Sequence, residues 1–217
     1  MKIIDPSYTI LRPCALDAVA RKDALHAVAD AARTCYKSTG TDDATLVAQL
    51  VRSGHEAMLE HCGLTVRFTV DRGVSHEIVR HRMASYAQES TRYCNYNKDK
   101  FGGEISVICP EKFEVGSQAR KTWVKICMLC EDVYLEMVYN GVPPELARSV
   151  LPTALATELV MTANLREWRH FLALRAVGTT GKPHPQIRQV AAPLLRELAA
   201  WLPEVFDDLL EAMDGEA

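Results

Sequence analysis

An α+β fold, built as one domain with a mixed or antiparallel sheet and several long helices, is what this 217-residue sequence predicts. Three observations carry the expectation. Leu64, Val66, Phe68 and Val70 alternate with Thr65, Arg67 and Thr69, the period-two pattern of a half-buried strand. Stretches such as 116–140 and 186–213 instead repeat their apolar residues at helical spacing. Strand-like and helix-like segments intermix without a steady βαβ rhythm, which disfavours a doubly wound sheet. No internal repeat, low-complexity tract or Pro/Ser-rich linker divides residues 1–217, so one domain is expected.

Residues 2–12 read as a short edge strand interrupted by Pro6. Leu16 to Cys35 is Ala-rich and keeps Leu16, Ala20, Ala27 and Ala31 near one face, so it reads as a helix. Thr41 to Asp43 supply caps for a second helix ending at Gly54. After the strand at Leu64–Val70, the residues Val74, Ile78 and Val79 favour a helix running into Arg80 and His81. A turn-rich stretch, 95–103, leads to a short apolar strand at Ile105–Cys109. The long helix over 116–140 stops at Asn140-Gly141, and another begins at Pro143-Pro144-Glu145. The Thr and Val content of Thr153–Thr162 favours a strand. Asn164 to Arg175 has helical spacing, and a final helix over Gln186–Met213 breaks near Pro203.

Charge and composition bound the function. With 25 Lys+Arg against 28 Asp+Glu the net charge is −3, which argues against a nucleic-acid partner. Hydrophobic residues at 48% and charged residues at 24% exclude a disordered or collagen-like chain. Of the cationic residues 16 are Arg and 9 Lys, and Arg is the planar fork suited to phosphate and carboxylate. Seven cysteines, an odd number without scaffold spacing, and an N-terminus without secretory features imply free thiols in a soluble, cytoplasmic protein. No apolar run approaches the roughly 20 residues that span a bilayer, so no membrane partner is expected.

The densest polar constellation runs from Arg80 to Tyr93 and offers guanidiniums, an imidazole, hydroxyls, an amide and a carboxylate, enough to bind a phosphate and a planar heterocycle. Consecutive helical residues point about 100° apart, so Arg80, His81 and Arg82 cannot all face one ligand if the helix continues. Either the helix ends there, or the three serve different ligand parts or subunits, or the run is a solvated basic helix end.

Arg80-His81-Arg82, then seven residues, then Ser90 resembles the signature of the flavin-dependent thymidylate synthases, the ThyX family. The flanks resemble it too: Ala84-Ser85-Tyr86, Glu89-Ser90-Thr91-Arg92-Tyr93, His55-Glu56, Glu60-His61, Ala147 to Pro152, Asn164-Leu165-Arg166, Phe171 to Arg175 and His184 to Arg188. The resemblance implies an α+β homotetramer with active sites shared between subunits. It implies conversion of dUMP to dTMP, with 5,10-methylenetetrahydrofolate as carbon donor, FAD as hydride carrier and NADPH as reductant. By the same resemblance Arg80, His81 and Arg82 bind FAD, as do His55, Gln88, Asn164, Arg166 and His170. Glu77, Arg80, Gln88, Glu89, Ser90, Thr91, Arg92 and Arg148 hold dUMP, and Arg175 is the catalytic residue that activates the pyrimidine. A guanidinium against a uracil stabilises negative charge on the ring without supplying a proton. Neither proline-adjacent cysteine, Cys14 or Cys109, sits in a Pro-Cys-His setting, so no thiolate nucleophile is expected.

The chain departs from some relatives at Glu77, Ala57, Gln88 and His170. A carboxylate at Glu77 beside a uracil would need pairing or a changed hydrogen-bond role. Other motifs have plainer readings. His55 and His61 are six apart, whereas a zincin needs four, so no metal is expected. Cys127 and Cys130 read as thiols one turn apart in a helix, and Trp123, Trp168 and Trp201 as core or interface anchors. Arg188 either helps orient FAD or a neighbouring subunit, or is an exposed helix-start charge. A flavin-dependent pyrimidine hydroxymethylase and a non-catalytic nucleotide-binding protein are the alternative functions.

Overall fold

The alternating stretch centred on residue 66 does form a strand, and its apolar side chains Leu64, Val66, Phe68 and Val70 are buried. In chain order the strands are β1 (Lys2–Ile4), β2 (Ser7–Arg12), β3 (Gly63–Asp71), β4 (Ala84–Gln88), β5 (Ser106–Ile108) and β6 (Ala156–Asn164). A four-stranded sheet has the order β2-β3-β6-β4, and β1 pairs in parallel with β5, with Lys2 opposite Ser106. An antiparallel bridge joins Val107 to Leu155. The α+β expectation is borne out. These features belong to a computed structural model that describes residues 1–98 and 102–215. Residues 99–101 of the turn-rich stretch expected over 95–103 lie outside the described residues, as do 216 and 217 at the chain's end.

Side chains at the helix starts satisfy otherwise orphaned backbone N–H groups. Asp17 opens α1 (Ala18–Tyr36) by accepting from the Ala20 N–H, and Asp42 opens α2 (Asp43–Arg52) by accepting from Thr45. Asp71, the last residue of β3, caps α3 (Arg72–Ile78) through the Val74 N–H at 2.8 Å. Ser117 caps α4 (Gln118–Tyr139), and Pro144 begins the single turn α5 (Pro144–Ala147). Asn164, the last residue of β6, caps α6 (Leu165–Leu172) through the Glu167 N–H at 2.9 Å. His184 caps α7 (Pro185–Trp201), and Pro203 starts α8 (Pro203–Gly215), the break expected near that proline. No helix among the described residues is long and apolar enough to cross a membrane.

The chain divides into two compact units. The first comprises Met1–Ser7, Phe68–Arg80 and Ala87–Leu159. Its core gathers Tyr96, Ile105, Val107, Cys127, Tyr134, Ala147 and Leu155. Here the Met1 amino group lies 2.8 Å from Glu104 and 3.0 Å from Glu131, and Glu131 also accepts from the Ile105 N–H. The second comprises Tyr8–Arg67, His81–Tyr86 and Val160–Ala217. It packs the buried Trp168 and Phe171 of α6 with rings 5.6 Å apart, alongside the buried Leu194, Leu198 and Phe206.

Four local expectations change. Residues 2–12 form two strands in separate sheets, divided at Asp5-Pro6, because proline offers no N–H to continue a ladder. The strand expected from Thr153 begins at Ala156, since the Leu155 N–H turns back to the Pro152 carbonyl. Residues 84–88, read only as part of a polar constellation, form β4. The helix expected over 164–175 widens at Ala173–Val177 into a π turn, which ends at Gly178 with φ 101°.

That glycine is required on two grounds: a Cβ would meet Pro183 Cδ at 2.9 Å and the Gly181 carbonyl at 3.1 Å, and the conformation is left-handed. Gly178→Ala is therefore expected to cost about 2 kcal/mol by chemical denaturation. Gly116→Ala, at φ 85° in open space, isolates the conformational part and is expected to cost about 1 kcal/mol.

Candidate active site

In the second unit the π turn carries Arg175, and its side chain meets a buried imidazole. Arg175 Nε donates to His81 Nε2 at 3.2 Å. Because Nε2 accepts, the ring proton of His81 sits on Nδ1, which lies 3.4 Å from Glu167 Oε1 but out of hydrogen-bond alignment. The imidazole is held edge-on to Phe171 at 5.0 Å and to His170 at 5.5 Å, and the Tyr86 hydroxyl donates to the His81 carbonyl at 2.6 Å. Burial, then the nearby Arg175 and His170, push the His81 pKa down to about 4. Burial pushes the Glu167 carboxyl up, and His170 draws it partly back.

Beside this group opens a cleft of about 430 Å3, lined in part by Asn164, Arg166, Glu167, Arg169 and His170 on one side of α6 and by Glu56 and Glu60 of the 3-10 turn at Glu56–His61. Its two guanidiniums differ. Arg166 pairs with Glu60 at 2.6 Å, and both side chains are about half exposed. Arg169 is buried and committed: Nε donates to Glu56 at 2.9 Å, Nη1 and Nη2 each reach Asp208 at 2.7 Å, and Nη1 also donates to the Val205 carbonyl. His170 is exposed, and the Asn164 amide retains its N–H donors after capping α6 through its oxygen.

In the first unit a second set gathers. Gln88 Nε2 donates to Ser75 Oγ at 2.9 Å and to Thr157 Oγ1 at 3.4 Å. Arg72 Nη2 donates to the Glu89 carbonyl at 3.0 Å, while the Glu89 carboxylate accepts from the Tyr96 hydroxyl at 2.9 Å. Arg148 donates to the buried Thr91 hydroxyl at 3.3 Å. Arg92 is exposed, lies 3.5 Å from Glu145 and stacks over Tyr93 at 5.5 Å, and its N–H donates to Ser90 Oγ. Glu77 is half-buried on α3, and Arg80 is exposed beyond that helix.

The structure thus brings together His81, Arg175 and His170 in one unit, with Asn164 and Arg166 on the adjoining cleft. It brings together Gln88 with Ser75, and Thr91 with Arg148, in the other. His55 and Arg82 are exposed and do not line the cleft. No cluster of three or more His, Cys, Asp or Glu placed to hold a metal ion occurs among the described residues.

The sequence profile described as thymidylate synthase complementing protein matches residues 18–204. The flavin-dependent thymidylate synthase of Geobacter sulfurreducens is 34% identical over 193 residues, covering 84% of this chain and 80% of that protein. The chain belongs to the flavin-dependent thymidylate synthase family. A relative of the same name from Thermococcus onnurineus is 36% identical over 168 residues, covering 76% of this chain and 66% of its own length. The fold matches that of a UMP/dUMP methylase from Streptomyces cacaoi, solved with 5-bromo-dUMP, at a TM-score of 0.76 and 21% identity over 99% of this chain and 97% of that one.

Within this flavin-dependent thymidylate synthase fold, Glu167 and Arg169 join the set in the second unit, and Ser75, Thr157 and Tyr96 the set in the first, without having been singled out in the sequence. Glu167 and Arg169 lie among the residues of an evident helix, and their burial was the missing fact. Ser75 and Thr157 contact Gln88 from 13 and 69 residues away, a separation that carries no sequence signal.

Two outcomes follow from these networks. Arg169→Met leaves Glu56 and the Val205 carbonyl without their buried partner and is expected to cost about 3 kcal/mol in urea unfolding. The unfolded chain takes up a proton at a histidine near pH 6.5, whereas His81 in the fold resists it down to about 4. Stability associated with His81 is therefore fully present above pH 6.5 and is lost as pH falls toward 4, with a slope of up to about 1.4 kcal/mol per unit. Glu167, raised in the fold, works in the opposite direction, so the difference between wild type and His81→Gln across pH 7 to 5 isolates the histidine.

Proposed function

We propose that this chain reductively methylates dUMP to dTMP, with 5,10-methylenetetrahydrofolate as carbon donor, NADPH as reductant and FAD as bound cofactor. The single observation that carries the reading is Arg175, fixed by a buried neutral imidazole in a member of this family. A guanidinium fixed in this way stabilises negative charge developing on a uracil ring and raises the nucleophilicity of its C5 carbon. A thiolate route has no comparable support. Burial pushes the thiols of Cys62 and Cys109 up and that of Cys127 to about 11, so these sulfurs are held protonated.

The donor set of the cleft fits a flavin dinucleotide. Arg166 is exposed enough to exchange Glu60 for a phosphate, since an exposed pair is worth little. Asn164 and His170 offer polar groups to a heterocycle, while Arg169 is already committed and serves the wall. When bound, FAD supplies the hydride that completes the methyl group. His55, Arg80, Arg82 and Gln88 extend the proposed flavin set, while the buried His81 reaches it only through Arg175. On the nucleotide side, Arg148 and Arg92 supply cations for the phosphate, Ser90 and Thr91 supply hydroxyls, and Gln88, Glu89, Glu77 and Arg80 complete the set. The working form is proposed as a cytoplasmic homotetramer of one-domain subunits with shared active sites.

Purified protein is expected to be yellow, to bleach with NADPH when dUMP is present, and to release tritium from 5-tritiated dUMP. Arg175→Ala should lower turnover on the order of 10³-fold while the flavin absorbance persists. The mass of the product separates a methyl from a hydroxymethyl group. A colourless protein that takes up neither FAD nor dUMP, or an Arg175→Ala variant that turns over normally, overturns the proposal.

A further inference from the structure

We propose that His81 is a positioning residue for Arg175, acting through its Nε2 lone pair. The inference rests on the reading of Arg175 as the group that activates the pyrimidine. It assigns to His81 a task other than direct contact with the flavin.

The surroundings of His81 carry this assignment. The His81 side chain is only 3% exposed, and its Nε2 is already occupied by Arg175 Nε at 3.2 Å, so neither the ring edge nor its acceptor is presented to the cleft. A guanidinium has five N–H donors in a fixed fork, and holding Nε fixes the plane and direction of the remaining four. Arg175 sits on a π turn, a local widening of the helix that occurs frequently at functional sites. The imidazole can act as that acceptor only if its proton is on Nδ1, and a carboxylate oxygen of the buried Glu167 lies 3.4 Å from Nδ1. Phe171 and His170 close the ring in edge-on, and Tyr86 fixes the His81 backbone carbonyl, so the imidazole has little freedom to flip. The lowered pKa keeps the lone pair unprotonated at neutral pH, since a protonated imidazole could not accept from a cation.

The test combines substitution with spectroscopy. His81→Phe preserves the packing against Phe171 and removes the acceptor, whereas His81→Gln places an amide oxygen near the position of Nε2. His81→Phe is expected to lower kcat on the order of a hundredfold, the scale of a misplaced reacting group, with the KM for dUMP and the flavin content little changed. His81→Gln is expected to recover at least about tenfold of that loss. Independently, long-range 1H–15N spectra of the wild-type chain should show His81 as the neutral Nδ1–H tautomer at pH 7, with its Nε2 resonance shifted in Arg175→Ala. An Nε2–H tautomer overturns the inference, even if His81→Phe does not fold. So does a His81→Phe protein that loses FAD yet turns over normally per bound flavin, or a His81→Gln protein no better than His81→Phe. Wild-type protein that releases no tritium sinks the functional reading instead, and the spectra still decide whether His81 holds Arg175.

Discussion

The indole N–H of Trp168 donates to the carbonyl of Leu64 at 3.1 Å, and this bond fixes α6 against β3. Both partners are fully buried, so breaking it would strand a donor and an acceptor in an apolar interior. Much of the second unit's candidate site depends on it, because α6 and the π turn that continues it carry Asn164, Arg166, Glu167, Arg169, His170 and Arg175. Gly63, just before Leu64, allows the same approach: a Cβ there would lie 2.5 Å from the Ala163 carbonyl. The Leu165 N–H then reaches the Cys62 carbonyl at 2.8 Å, so the start of the helix is tied to the strand on both sides of that glycine. The strand is thus a reference plane from which the polar residues of α6 take their positions.

Legibility in the sequence follows the range of the forces involved. β3 and α6 were readable because alternation and helical spacing are local properties, and the same burial that produced the pattern produced the element. The two strand-ending caps, Asp71 and Asn164, are equally local. β4 was not readable: Ala84 to Gln88 carries no apolar alternation, and its exposed and half-buried residues are ordered by neighbours distant in sequence. The π turn escaped for a different reason. Widening a helix by one residue leaves composition unchanged and depends on the turn closed by Gly178 next to Pro183. Arg169 was invisible as a clamp because Glu56 and Asp208 are 113 and 39 residues away.

The Arg80-to-Tyr93 constellation shows both sides of this rule. Its chemistry was legible, because a dense run of donors needs a ligand or a solvent. Its geometry was not, because three adjacent residues divide between exposure and burial: Arg80 and Arg82 face solvent while His81 is 4% exposed. Of the readings open for this run, the helix ends: α3 stops at Ile78 and the chain goes on to β4, so the 100° helical spacing does not govern the three residues.

The excess of arginine over lysine gains a physical meaning from this distribution. Guanidiniums in this chain occupy at least three conditions. Arg169 is buried, and its desolvation is offset by two carboxylates and a carbonyl that take up most of its N–H donors. Arg166 and Arg92 are exposed in weak pairs, which makes them exchangeable for an incoming anion. Arg175 is held at Nε by the neutral imidazole of His81. A carboxylate in place of His81 would also have oriented the fork, but it would have offset the guanidinium charge on which the proposed role of Arg175 depends. An imidazole kept neutral by burial orients without neutralising, and that distinction explains why a histidine, with Glu167 held behind it rather than against the arginine, suits this position.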